Sequence, residues 1–460
     1  MAIAPLLWAA RGVSVRRGAW LGFVFGLGFF SVLLIWVKYV GWVAWGAVTL
    51  LQAIFLALFG AGWAIASRRI PWPVASVVAG ALWVVIEYAR QELPVVGFTW
   101  GQLAQSQHNA GWLLELAKIT GGWGIAFLLV AVNGFVAGAL GSRSLRSRIG
   151  NTAVAVALLV IPIAVPKWFW NSGEKFTRVA IVQGNVPRSF TGTIAEKNLQ
   201  IINSHSRLTR DLVGENIDLV VWPESSIGLD MTRVPVVEEA VRSAARAVDT
   251  EMIVGGNEDE GAGYKVQAYH LDSDGTVLDT YQKTHLVPFG EYVPWRGVFG
   301  WIPMLDQVSR DAIPGDESKV FDTAFGPVAP VISFEGDFGS LVRRRIGETG
   351  GRLLVVATNT STWATSWASA QHLAFSQVRA AENGVFVVHA ALSGISAFID
   401  PNGTVMSRTD LWTAGTLEGN VFFADRPTFY ARTGDWLVLL SALVAAAALV
   451  VGWRRPGSVS

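Results

Sequence analysis

The sequence predicts a mixed α/β layered domain carried on a base of transmembrane helices. Three observations predict it. The 460 residues are 52% hydrophobic and only 15% charged, against about 25% charged in an average soluble domain. Six apolar runs that read as spans gather at the two ends of the chain, at 20–37, 42–66, 74–86, 123–140, 152–165 and 436–453. Between them, short β-like runs alternate with amphipathic helical stretches, the pattern of stacked sheet and helix layers.

Taken in order, residues 1–10 are apolar but too short to cross a bilayer, which takes roughly 20 helical residues. No basic stretch precedes them, so they do not read as a signal peptide. Basic clusters then punctuate the spans, at 11–17, 68–69, 143–148 and 454–455. Basic loops stay on the cytoplasmic side, and alternating spans place all four clusters there. Spans one and two form an outward hairpin, spans three and four a second, span five leaves and the last span returns. Residues 167–435 are then extracytoplasmic, with the loops near Val40 and Gly97 on the same side. Several of the 21 tryptophans sit near the ends of apolar runs, where indole favours the membrane interface. The expected division is 1–166 for the transmembrane helices, 167–432 for an extracytoplasmic domain, and 433–460 for a last span with a short tail.

The middle segment reads as strands at 178–183, 218–222, 251–255, 264–271, 276–282, 328–334, 353–358, 385–390 and 395–399, with helices at 195–213, 236–248 and 370–383. Asp272-Ser-Asp-Gly275 is a hairpin signal between two of the strands. A net charge of +1 gives no bulk attraction to nucleic acid. The absence of cysteine excludes disulfides, thiolate metal sites and a thiol nucleophile. His270, His285 and His372 lack ligand spacing, and no metal or cofactor is called for.

Three candidates for chemistry fall after or beside strands: Glu224 in Trp222-Pro-Glu224, Lys283, and Ser333 in Val331-Ile-Ser-Phe-Glu-Gly-Asp337. A carboxylate can act as general base, an ammonium can stabilise an oxyanion, and a hydroxyl can carry an acyl group. Glu335 stands two residues beyond the serine. The run Val287-Pro-Phe-Gly-Glu291-Tyr-Val-Pro294 reads as a rigid loop that aims Glu291 inward. Each residue alone has a plainer reading. A serine at a strand end is ordinarily structural, Glu224 can be a helix-start charge, and Lys283 and His285 can be loop charges.

Together these stretches resemble the nitrilase superfamily. The eight-residue step from Lys283 to Glu291 within that wording, and the flanking spans, resemble the apolipoprotein N-acyltransferases inside it. Gly97-Phe-Thr-Trp-Gly and Gln371-His372-Leu extend the resemblance over nearly the whole chain. It implies a nitrilase-like αββα sandwich domain mounted on a multi-helix transmembrane base, in a bacterial inner membrane and with the domain extracytoplasmic. It implies a Glu-Lys-Cys triad that takes an acyl chain from a phospholipid and passes it to the N-terminal amine of a diacylglyceryl-cysteine lipoprotein. By position Glu224 matches the base, Lys283 the oxyanion-stabilising lysine, Ser333 the nucleophile, and Glu291 and Glu335 the acids that orient base and lysine. Trp222, Phe98 and Trp100 are candidates for the wall of a lipid-accessible cleft, with interface anchoring as the alternative. Phe334, Trp363 and His372 are further candidates for substrate contact, a structural role for His372 staying open. The implied partners are membrane lipid, a phospholipid donor and a diacylated lipoprotein acceptor, with the chain acting as a monomer.

The match departs at three points. The family's nucleophile is cysteine, whereas this chain has Ser333. A hydroxyl ionises far less readily than a thiol of pKa about 8.5, so turnover is expected to fall by on the order of a thousand-fold. An engineered trap, a paralogue without turnover and a specially activated serine all fit that residue. The family usually has eight spans and this sequence shows six with a stub. Phe334 stands where tyrosine is common. A non-catalytic lipid- or lipoprotein-binding protein and a membrane-tethered amidase are the alternative readings.

Overall fold

The computed structural model describes residues 2–164, 176–302, 305–306 and 308–453, except for the Phe299 side chain. The expected end of span five at 165–166 and the basic pair Arg454-Arg455 lie outside the described residues. The chain divides into two compact units, Met1–Trp168 with Thr433–Ser460, and Phe169–Arg432.

In the first unit the N-terminal stub is a short helix, α1 (Ala4–Ala9), started by a proline in its first turn. It is tied down by Asn133 Oδ1, which accepts from the Ala4 amide at 3.0 Å, and by Trp63 Nε1, which donates to the Leu7 carbonyl at 2.9 Å. The long helices are α2 (Val15–Leu33), α3 (Trp42–Ala66), α4 (Trp72–Glu92), α6 (Gly122–Gly141) and α7 (Leu145–Ala164), with the shorter α5 (Gly111–Thr120) before α6 and a C-terminal helix Trp436–Trp453. Among the described residues five helices are long and apolar enough to cross a membrane: α3, α4, α6, α7 and the C-terminal helix. The first expected span is α2, which starts five residues earlier than its apolar run and takes in Arg16 and Arg17. Those arginines and its four glycines dilute its apolar character, and α2 is not among the five. Three of the glycines, Gly18, Gly22 and Gly26, serve packing instead. A Cβ at Gly22 would stand 2.0 Å from the Leu56 carbonyl oxygen of α3, so only glycine lets the two backbones meet.

Arg90 of α4 is 2% exposed, and its Nη1 donates to Gln52 Oε1 at 3.0 Å and to the carbonyls of Phe98 and Trp100 at 2.8 and 2.7 Å. One guanidinium thus satisfies the carbonyls of a non-helical loop where water is scarce. Phe98 and Trp100 stack with centroids 5.2 Å apart, and Trp36 lies 5.2 Å from Trp100.

The second unit is built on two six-stranded sheets. One has the order β12-β1-β2-β3-β4-β5 and the other β11-β10-β9-β8-β7-β6. The strands are β1 (Thr177–Gln183), β2 (Leu219–Ile227), β3 (Glu251–Glu260), β4 (Gly263–Leu271), β5 (Val277–Gln282), β6 (Phe321–Thr323), β7 (Gly326–Ile332), β8 (Leu353–Thr358), β9 (Phe386–Ala391), β10 (Ala397–Ile399), β11 (Val405–Arg408) and β12 (Gly415–Val421). β1-β2-β3 and β7-β8-β9 pair in parallel, and the outer strands pair antiparallel.

The near-continuous apolar runs of the central strands follow from burial on both faces. Val179, Ile181, Leu219 and Val221 face a core shared with Val328, Ile332, Val355 and Val388 of the other sheet. Their neighbours Ala180, Val182, Val220 and Trp222 pack on Ile202 and Leu208 of α8 (Ile194–Arg210) and Val237 and Val241 of α9 (Pro235–Val248). In chain order come the short α10 (Arg296–Phe299) after β5 and α11 (Gly339–Arg343), then the 16-residue α12 (Ala368–Asn383), which packs on β9 of the second sheet. The layers are therefore helix, sheet, sheet, helix.

Three strands lack a sequence signal. β6 is three residues long, β11 is half exposed, and β12 is a partly exposed edge with two glycines. The run 328–334 stops as a strand at Ile332, because Ser333 opens a 3-10 turn, Ser333–Asp337.

Candidate active site

The ends of β2, β5, β7 and β8 deliver the chemistry-bearing groups. β2 pairs regularly with β3 as far as Trp222, where the register shifts. Ser225, inside the irregular stretch before Ile227, has φ +62°. This irregularity re-aims the strand, so Trp222 turns to the helices while Glu224 turns to the site. The close approach needs Gly255 on β3, where a Cβ would stand 2.4 Å from the Pro223 carbonyl oxygen.

Glu224 is buried, 7% exposed. Its Oε1 accepts from Lys283 Nζ at 3.2 Å and its Oε2 from the Asn359 amide at 2.9 Å, and the nearby Ser333 side chain lowers its pKa. Lys283 follows β5, is 1% exposed, and also donates to Glu291 Oε1 at 2.5 Å. The other oxygen of Glu291 accepts from the Val287 amide at 2.7 Å, so the Pro-Phe-Gly loop closes on its own acid.

Burial raises the Glu224 carboxyl above its usual range; the Lys283 ammonium opposes this and Glu291 adds to it. For Lys283 burial favours the neutral amine, but the carboxylates of Glu224 and Glu291 outweigh it and its pKa is raised. The result is a firmly charged ammonium beside a carboxylate with enhanced affinity for a proton.

Ser333 has φ +50°, a left-handed conformation that costs an L-residue roughly 1–2 kcal/mol. Its Oγ lies 3.2 Å from Thr358 Oγ1 at the end of β8. Glu335 is fully buried. Its Oε2 accepts from the Ile332 amide at 2.8 Å, and its Oε1 accepts from Tyr281 Oη at 2.5 Å, from Thr284 N and Oγ1 at 2.8 and 2.9 Å, and from His285 N at 3.2 Å. Arg345 Nη2 faces the same oxygen at 3.4 Å, both side chains being 0% exposed. Burial disfavours the Glu335 charge, but Arg345 and these donors prevail and hold its pKa below the usual range.

Glu224, Lys283, Glu291 and Ser333 are thus brought together. Glu335 touches neither Glu224 nor the Lys283 ammonium among the described contacts. It clamps the backbone just after the lysine to the backbone just before the serine.

The aromatic candidates divide. Trp222 is no cleft wall. It is 0% exposed, its Nε1 donates to Thr209 Oγ1 at 2.9 Å, and His205 lies 5.2 Å from its ring. Phe334 is 5% exposed and packs edge-on against Phe338 at 4.9 Å beneath the turn. His372 is 3% exposed, with its Nε2 3.6 Å from Asp337 Oδ1, and does not face open space. Trp363 is half-buried in the turn Ser361–Trp363, just past Asn359. Asn359, Thr358, Tyr281, Arg345 and Asp337 carry weight that the sequence reading did not assign. Only the polar end of Leu353-Leu-Val-Val-Ala-Thr-Asn359 signalled any of them.

Residues 1–135 match the family model described as the apolipoprotein N-acyltransferase N-terminal domain, and residues 178–426 match the carbon-nitrogen hydrolase model. An apolipoprotein N-acyltransferase of Geobacter metallireducens is 32% identical, the match covering 99% of this chain and 91% of that one. The chain belongs to the apolipoprotein N-acyltransferase family. It is accordingly a membrane protein and an N-acyltransferase of the nitrilase superfamily. A member from Nitrosomonas europaea is 31% identical over 98% of this chain and 91% of that one. Among solved structures, an amidase from Nesterenkonia sp. is 18% identical and covers 54% of this chain and 91% of its own, with a TM-score of 0.42.

Proposed function

We propose that this chain moves a fatty acyl group from a phospholipid to the N-terminal amine of a diacylglyceryl-cysteine lipoprotein, through an ester on Ser333. The observation that carries the proposal is one buried carboxylate, Glu224, bonded to the Lys283 ammonium at 3.2 Å, with the Ser333 hydroxyl near enough to lower its pKa. Glu224 takes the Oγ proton as Oγ bonds to the acyl carbonyl carbon, and the ammonium balances the oxyanion that forms. The phospholipid ester bond breaks, and the proton passes from Glu224 to the departing lysophospholipid oxygen. The lipoprotein amine then attacks the acyl carbon and gives a proton to Glu224. The bond from Oγ to the acyl carbon breaks, and Oγ recovers its proton from Glu224. Glu291 holds the lysine, and Glu335 holds the loop and the turn. Phe98, Trp100 and Trp363 are proposed to meet substrate.

The test is incubation of the full-length chain, and of its Ser333→Cys variant, with phospholipid and a diacylated lipopeptide. The expected result is an added acyl mass at position 333 and triacylated peptide, slower with serine by on the order of a thousand-fold. No adduct on either protein refutes acyl transfer. Lipopeptide binding without turnover then identifies a binding protein, and lipid-independent hydrolysis of small amides identifies an amidase.

The same reading places the chain in a bacterial inner membrane as a monomer, with residues 167–432 extracytoplasmic between spans 1–166 and 433–460. The basic loops support it through the retention of such loops in the cytoplasm. With no native cysteine, single substitutions report cleanly. A membrane-impermeant maleimide should label Ser273→Cys in spheroplasts and spare Ser144→Cys, and the reverse pattern overturns the topology.

A further inference from the structure

Every residue of β8 is buried, and its last, Thr358, is its only polar one. Thr358 pairs with Ala391 at the end of an unbroken parallel register with β9, so its side chain falls on the face that Leu354 and Val356 share. The serine turn lies along that face: a Cβ at Gly336 would stand 3.3 Å from Val356 Cγ1. Valine has the shape of threonine and would extend the row without a polar atom. Packing therefore accounts for the branched side chain and not for its hydroxyl.

That hydroxyl has one hydrogen-bond partner among the described residues, Ser333 Oγ at 3.2 Å. Thr358 is 0% exposed, whereas Ser333 is half-buried. The direction of the bond follows from this difference. Were Ser333 the donor, the Thr358 hydrogen would be sealed from water with no acceptor, and an unmet buried donor is costly. With Thr358 as donor its hydrogen is met, and the Ser333 hydrogen stays free for a base. The serine oxygen then accepts from a fixed O–H before any substrate arrives.

We infer that Thr358 is a further catalytic residue, whose hydroxyl donates to the side-chain oxygen of Ser333 and stabilises the charge on that oxygen as the acyl ester breaks. In that step the acceptor amine nitrogen bonds to the acyl carbon and gives its proton to Glu224. The bond from Oγ to the acyl carbon then breaks, its electron pair returns to Oγ, and Glu224 passes the proton on to Oγ. Thr358 keeps its own proton throughout and supports Oγ until the other arrives. An oxygen leaving group needs this help far more than sulfur does, because a hydroxyl ionises far less readily than a thiol of pKa about 8.5. The Thr358 hydroxyl is thus suited to a serine at position 333.

The role presupposes the acyl ester on Ser333, and the test lets the two fail separately. The full-length chain and its Thr358→Val and Thr358→Ser variants are given p-nitrophenyl butyrate with glycine amide as a soluble acceptor and, separately, phospholipid with a diacylated lipopeptide. The first burst of nitrophenol reads ester formation, and the steady rate reads ester breakdown. Thr358→Val should slow breakdown by on the order of a hundred-fold, as for one lost oxyanion donor, and formation by much less, so that butyrylated Ser333 accumulates in the intact mass. Thr358→Ser keeps the hydroxyl and should restore most of the breakdown rate. In the Ser333→Cys chain the same valine should cost at least about ten times less. Equal losses in the serine and cysteine chains, or breakdown unaffected by valine, overturn the inference. Should the valine variant not fold, Thr358→Ala against Thr358→Ser decides, and equal breakdown again overturns it. The expected pattern with the nitrophenyl ester but no acyl group on the lipopeptide keeps the role of Thr358 and refutes transfer to lipoprotein. Lipopeptide acylation at the parent rate in the valine variant keeps the transfer and overturns the role.

Discussion

Glu335→Gln tests whether the acid after the turn is a girder or a reacting group. Glutamine keeps the volume, but its amide nitrogen must face one side of a carboxylate that only accepts. Oε1 meets Tyr281 Oη, Thr284 N and Oγ1, and His285 N, whereas Oε2 meets the Ile332 amide alone. The amide nitrogen therefore turns to Ile332 and sets donor against donor. An unsatisfied buried N–H costs about 1–3 kcal/mol. Arg345, 0% exposed at 3.4 Å, also loses its counter-charge, and breaking a buried pair costs about 3–5 kcal/mol. The two overlap, so about 3–5 kcal/mol in total is the expected loss. At about 2–4 °C per kcal/mol for a domain of this size, that is a fall in Tm of roughly 6–20 °C. The 21 tryptophans make intrinsic fluorescence in detergent a direct assay. The sign with pH follows from the depressed Glu335 pKa. Its stabilisation is fully present above the unfolded carboxylate value of about 4.3, and it is lost as pH falls through the lower folded value. The variant should therefore show a flatter acid limb. An unchanged Tm with lost activity would refute the girder argument and make Glu335 part of the chemistry.

Glu224→Gln should keep the Asn359 contact and Tm, yet slow acyl-enzyme formation by about 10²–10⁴-fold, the share of a positioned base. In the parent that step should rise with pH through the raised Glu224 pKa, since only the carboxylate accepts the proton; a rate flat through the acid range refutes the assignment. Lys283→Met leaves Glu224 and Glu291 facing each other unneutralised and should cost about 10²–10³-fold in kcat, as for a lost oxyanion donor. Parent-like turnover removes the lysine from the mechanism. Trp222→Ala should destabilise the chain by about 3–5 kcal/mol through the cavity left against α8, with KM for phospholipid unchanged in the folded fraction; a raised KM restores the cleft-wall reading.

Layering and much of the site were legible because they rest on local pattern. Doubly buried strands announce themselves as runs such as Leu353-Leu-Val-Val-Ala, and Lys283 and Glu291 share one stiff loop whose prolines and glycine are visible in the sequence. What stayed hidden depends on pairing. β12 is held to β1 over seven residue pairs from Thr177↔Val421 to Gln183↔Gly415. Its own Gly-Thr-Leu-Glu-Gly-Asn-Val carries almost no strand signal, because β-propensity reports mainly what a strand packs against.

Trp222, a candidate cleft wall by resemblance, packs instead against the helices, and pairing again decides this. Two residues apart on a regular strand, Trp222 and Glu224 should share a face. The register shift after Trp222, with Ser225 at φ +62°, breaks that inference, and no residue type in Trp-Pro-Glu-Ser-Ser compels it. The partner strand makes room for it, where Gly255 admits the Pro223 carbonyl. Gly255→Ala should therefore damage the site while sparing the sheet, since residues 219–222 pair before the irregularity. Near-parent secondary structure by circular dichroism with a collapse in kcat is the expected result, and retained kcat would mean that the shift does not aim Glu224.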